Sequence, residues 1–215
     1  MPIDVLIERG QTKVFASALE WPGWARAART PDEAVAALEA HVPRYRPVAE
    51  RAAVPLPKLV TLEVVETVPG SATTDFGAPD ATASADERKL TKAQAERLAS
   101  LLEACWTALD EVAAESPEEL TKGPRGGGRD RSKMLAHVID SEASYMRSIG
   151  LASVDVSPDD RGGLKARRAT IIEAFRAARS PYPESTRKVW PYRYAIRRVA
   201  WHVLDHAWEM QDRRP

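Results

Sequence analysis

Apolar positions recur with two different periods along this chain of 215 residues. In the first third they alternate or gather in short β-branched runs. "IDVLIERG", "KVFASALE" and "LVTLEVVET" each read as a strand. "WPGW" at 21–24 marks a turn, and "TPDEAVAALEAHVPRY" after it reads as a helix. Thr30 suits the N-cap, Pro31 the first helical position, and Glu33 completes a capping box. Val35, Leu38 and Val42 fall on one face of that helix. Residues 1–68 are therefore expected to fold as a small β-sheet domain with one helix.

Residues 69–86, "PGSATTDFGAPDATASAD", lose both periods and consist of turn formers and small polar side chains. They read as a linker or an arm on the surface, with Phe76 as the one residue fit to dock. From 87 onward the period is helical. Four segments follow, at about 87–115, 130–149, 160–179 and 191–211, each with an apolar stripe. Leu98, Leu101, Cys105 and Leu109 mark the first, and Met134 and Val138 the second. Ile171, Ile172 and Phe175 mark the third. An α+β chain is expected, its second part (87–215) an up-and-down four-helix bundle. No internal repeat is visible.

Composition narrows the class. Lysine plus arginine and aspartate plus glutamate number 31 each, and 44% of residues are hydrophobic, ordinary for a globular protein. Zero net charge argues against bulk binding to nucleic acid or a membrane surface. Cys105 is the single cysteine, so no internal disulfide forms. The start "MPIDVLIERG" lacks a signal-peptide core, and no apolar run reaches the ~20 residues of a membrane span. The cytoplasm is the expected compartment.

The chemistry concentrates in "AWHVLDHAWEM", residues 200–210. Positions four apart share a helix face, so Ala195, Val199, His202, His206 and Met210 form one stripe, which must face the core. In the second helix Met134, His137, Val138, Ser141 and Tyr145 form another. One histidine on an apolar face is usually a core residue bonded to a neighbour. Three on core stripes would each need a separate polar partner, whereas one metal ion satisfies all three.

"HVIDSE" in the second helix together with "WHVLDHAWE" in the last resembles the DinB-like superfamily, which includes the YfiT-like proteins. Its members are four-helix bundles with a three-histidine metal site. The resemblance spans residues 87–215 and implies His137, His202 and His206 as ligands. It also implies a divalent metal, zinc first with nickel or iron as alternatives, and a thiol-dependent S-transferase or related group transfer that uses a low-molecular-weight thiol. Three neutral ligands leave an open position, the layout of a catalytic site. The N-terminal part, with Pro22, Gly23, Thr30, Glu33 and Ala34, resembles the HicB-like domain over residues 3–66. HicB proteins are antitoxins that often carry a DNA-binding tail; here a helical segment follows instead.

Four further side chains are candidates to orient the ligands: Asp205, Glu209, Glu142 and Tyr145. Against that role stand surface pairing with arginine for the acids, as Arg213 with Glu209, and core packing for Tyr145. Trp201 and Trp208 share a face and are expected to pack against a neighbouring helix. The loop "KGPRGGGRDR", 122–131, lacks the GxxxxGK[ST] order of a nucleotide loop. Its Arg125, Arg129 and Arg131 stand near the start of the His137 helix and are candidates for anion binding, or simply members of a mobile connection. The cations of "RKVWPYRYAIRR", 187–198, read as a solvated face. His41 is expected to interact with the carbonyls at its helix end.

Two functions compete on these residues. In one, the bundle is a metal-dependent enzyme, a thiol S-transferase or a hydrolase, acting on a small-molecule substrate. The N-terminal sheet then covers the pocket or builds a homodimer. In the other, the metal only stabilises a binding module whose HicB-like sheet contacts a protein or RNA partner.

Overall fold

A computed structural model describes residues 1–122 and 128–215. It has mixed α+β architecture: a four-stranded sheet near the N-terminus, then a series of helices. The strands are β1 (Ile3–Arg9), β2 (Val14–Ala18), β3 (Ala25–Ala28) and β4 (Leu62–Pro69), in the order β3-β2-β1-β4. β1 and β2 form an antiparallel hairpin, β3 continues it antiparallel, and β4 joins β1 in parallel. The chain crosses from β3 to β4 through α1 (Pro31–Ala40) and α2 (Val42–Arg51).

The expected capping box is formed. The backbone N–H of Glu33 donates to Thr30 Oγ1 at 3.3 Å, and that of Thr30 donates to Glu33 Oε2 at 3.2 Å. β3 was not foreseen, and the single helix expected to run through Tyr45 is two: it breaks at His41, and α2 runs on to Arg51. "ARAA" carries no strand signal of its own, and its pairing comes from β2. α2 contains Pro43 in its first turn, where proline is tolerated, and Pro47 inside, a breaker, yet it buries Tyr45, Val48 and Ala49. Tertiary burial outweighs the local penalty there. The "WPGW" turn works as a wedge. Gly23 adopts φ +91, and a Cβ there would lie 2.6 Å from Leu204 Cδ1 and 3.2 Å from Cys105 Sγ. Trp24 stacks on Tyr45 and donates from Nε1 to the Leu38 carbonyl at 2.9 Å.

Residues 69–86, expected as a linker or surface arm, hold α3 (Ala72–Phe76) and a 3-10 turn at Ser84–Glu87. Ala83 joins Leu6 and Leu19 in a small apolar cluster against the sheet, and Thr74 and Asp86 are buried. Asp86 forms an ion pair with Arg197 at 2.5 Å. Phe76 does not dock: it is 87% exposed.

The remaining helices are α4 (Lys92–Glu115), α5 (Arg131–Ser148), α6 (Arg161–Ala177) and α7 (Tyr192–Asp212). α4 starts five residues later than expected, because Thr91 caps it with Gln94 while Glu87 belongs to the 3-10 turn. α4 packs against α6 and α7, α5 against α7, and α2 against α4. One apolar cluster takes buried side chains from Ile3 in β1 to Met210 in α7. Among the described residues no helix is long and apolar enough to cross a membrane.

Candidate metal centre

α7 contributes its stripe as the period requires. Ala195, Val199, His202, His206 and Met210 are all buried. α5 lies beside it and buries Met134 and Val138, while His137, Ser141 and Tyr145 are half-buried at the helix edge. These two helices bring His137, His202 and His206 together, and one nitrogen from each lies within 4.8 Å of the others. His202 Nε2 and His137 Nε2 are 3.1 Å apart. Ring centroids are separated by 5.0, 5.1 and 4.7 Å, with interplanar angles of 68°, 88° and 88°. The rings are arranged edge to face around a common point instead of stacking.

The donor set suits a metal ion. Two nitrogens bound at ~2.0–2.1 Å to one tetrahedral ion stand roughly 3.3 Å apart, close to the separation found here. His206 Nδ1 donates to Glu209 Oε2 at 3.0 Å, which leaves the Nε2 lone pair for the cluster. Glu209 is in turn held by Arg213 at 3.0 Å. Burial, then the charges of Arg129 and His206, lower the His137 pKa. Burial, then His206 and His137, push His202 down to about 2. Both rings are therefore neutral at pH 7, the form that ligates. His202 Nδ1 is buried with no hydrogen-bond partner among the described residues. A hydrogen bond between His202 and His137 engages one nitrogen of each ring and leaves His206 Nε2 unused.

The other candidates separate. Glu209 touches a proposed ligand directly, and its carboxyl is held below the usual range, first by the His206 hydrogen bond. Asp205 pairs with Arg26 at 3.3 Å instead, and desolvation raises its pKa. Tyr145 sets its ring edge to His202, with centroids 5.7 Å apart, and so forms a wall of the site. Glu142 is neither solvated nor beside the histidines: it is buried and paired with Arg167 at 3.0 Å and Arg168 at 3.1 Å. Arg129 is exposed, and its charge is felt at His137 and His202. Arg131 is turned away, donating to the Ser116 carbonyl at 2.8 Å and pairing with Glu118. Arg125 lies outside the described residues.

Four further expectations can be set against the structure. Cys105 is buried, and desolvation raises its thiol pKa well above the ordinary value, as an inert core thiol requires. Trp208 meets His41 and Arg44 of the α1–α2 layer, as expected of packing on a neighbouring helix, but Trp201 packs edge-on against Phe15 of the strand β2 instead, because that face of α7 is turned to the sheet. His41 Nδ1 lies 2.8 Å from the Ala37 carbonyl at its helix end. The 187–198 cations divide: Arg187 and Lys188 are exposed as expected, whereas Arg193 pairs with Glu20 at 2.7 Å and Arg197 with Asp86, and both of these are buried. A wall residue passed over in the sequence is Trp190, whose ring centroid lies 5.7 Å from that of Tyr145. Compared with family models, curated proteins and solved structures, the chain matches none.

Proposed function

We propose that α4–α7 form a DinB-like four-helix bundle whose His137, His202 and His206 hold one divalent ion, zinc by preference and nickel or iron as alternatives. On this reading the chain is a metal-dependent enzyme that transfers a group between a low-molecular-weight thiol and a small electrophile. The HicB-like N-terminal layer is the frame that holds α7 in place. The observation that carries the reading is the convergence of three imidazoles from two helices, with His202 and His137 Nε2 at 3.1 Å.

Each residue has a task. His137, His202 and His206 present lone pairs, and Glu209 fixes the His206 tautomer by taking its Nδ1 proton in a hydrogen bond. Tyr145 and Trp201 flank His202 and keep water from that side of the ring. The ion, when bound, supplies the positive charge that brings a thiol or water to its anion near neutral pH. A sealed, purely stabilising ion would be ringed by apolar side chains. The half-buried His137 and the exposed Arg129 support an open position instead.

The test is a panel of thiols and electrophiles run on zinc-, nickel- and iron-loaded protein, with His206→Gln as control. Turnover by the loaded wild type and its loss in His206→Gln are expected. Stoichiometric metal without turnover on any thiol would leave the binding-module reading in its place.

A further inference from the structure

Arg198, half-buried on α7, stands apart from the paired arginines around the helices. Arg193 and Arg197 on α7 are paired with Glu20 and Asp86, and Arg167 and Arg168 on α6 with Glu142. Arg198 has no ion pair and no hydrogen bond among the described residues, and its Nε and Nη1 are buried without a partner. Its guanidinium lies 4.7 Å from the Trp201 ring centroid and 5.8 Å from that of Tyr145. Those two rings are the ones that flank His202, at 6.2 and 5.7 Å. Ring faces attract a cation but offer no acceptor for the three N–H donors of Nε and Nη1. Leaving such donors unmet away from water is costly, and an arriving anion removes the cost.

The Tyr194 hydroxyl is buried without a partner as well. Tyr194, Arg198 and Trp201 line a cavity of about 20 Å³ between the sheet and α7, room for about one water. An organic ligand does not fit there. Arg198 lies one helical turn before His202 on α7, and its charge is felt at that ring; the half-buried His137 is the neighbouring edge of the site.

We propose that Arg198 is the docking group for a carboxylate carried by the small molecule that reaches the three imidazoles. The inference rests on the metal-site reading and extends it to the substrate class: a short thiol or electrophile bearing a carboxylate. A planar carboxylate matches the guanidinium fork, and the flanking rings suit a short apolar body between acid and reactive atom.

The test uses the full chain loaded with cobalt(II) and two thiols of equal length, 3-mercaptopropionate and 3-mercaptopropionamide. Thiolate-to-cobalt absorption reports their binding. The acid should bind at least about tenfold tighter than the amide, a gap of ~1.4 kcal/mol. Arg198→Gln should erase that preference with cobalt content unchanged, and Arg198→Lys should keep part of it. Equal affinities in the wild type overturn the proposal. So does a preference that survives in Arg198→Gln, since the acid then binds the ion directly. If Arg198→Gln does not fold, the wild type against Arg198→Lys decides by the same measure. If the wild type takes up no cobalt, the metal reading falls alone. Calorimetry of propionate against metal-free protein then decides: binding that is weakened in Arg198→Lys and lost in Arg198→Gln sustains the carboxylate site, and no binding, or equal binding by the variants, overturns it.

Discussion

The contact from His206 Nδ1 to Glu209 Oε2 fixes which nitrogen of His206 is free to ligate. Glu209→Gln keeps the shape of the side chain but removes its charge, so the ring is held less firmly and is less basic. Metal affinity is expected to fall about 10–100-fold, read by competition with a chromophoric chelator. An unchanged affinity would show that Glu209 serves Arg213 alone. The histidines also set a pH dependence. Burial lowers the pKa of His137 and His202 in the folded chain, while both return to about 6.5 when it unfolds. Below that value the unfolded state binds more protons, so stability is full above it and declines as the pH falls. Metal-free protein should therefore melt at lower temperature at pH 5.0 than at 7.5, with a shallower slope in His202→Gln. A flat profile from 7.5 to 5.0 would contradict buried neutral imidazoles.

At the scale of elements, α7 joins the two parts of the chain. One face carries His202 and His206 toward α5, while Trp201 and Arg197 turn to the sheet and to residues 69–86. The Arg197–Asp86 pair is buried on both sides, with side-chain exposures of 9% and 0%. Asp86→Ala leaves the guanidinium unpaired and is expected to cost about 3–5 kcal/mol, whereas the double change Asp86→Leu, Arg197→Met should cost much less. Chemical denaturation of the three proteins checks this, and equal losses would mean the pair adds nothing specific. The α7 stripe was legible because a run of apolar residues four apart is itself the helix signal. β3 was not, since "ARAA" becomes a strand only through its ladder with β2. The run of α2 to Arg51 was masked by Pro47, and the partner that buries Tyr45, Trp24, lies in another part of the chain.

At the scale of the molecule, the sheet and the long helices share one core through the turn at Gly23. The approach of a Cβ there to Leu204 and Cys105 shows how closely the turn sits on α4 and α7. Gly23→Ala would add both a strained φ and a clash, and should cost about 2–4 kcal/mol, measured by urea denaturation. A neutral effect would mean the turn moves freely away. The histidine set was readable because each ring announced its helix face by sequence period. The role of Arg198 was not, because being unpaired is a property of the neighbours: Glu20, Asp86 and Glu142 are each taken by other arginines.

Metal content is the most direct measurement. The full chain, exposed to zinc and then freed of loosely bound ion, should retain about one ion per chain by mass spectrometry. His202→Gln and His206→Gln should each lose most of it while keeping the helical circular dichroism of the wild type. A folded wild type that keeps no metal, or variants that keep as much as the wild type, would contradict a shared ion at His137, His202 and His206.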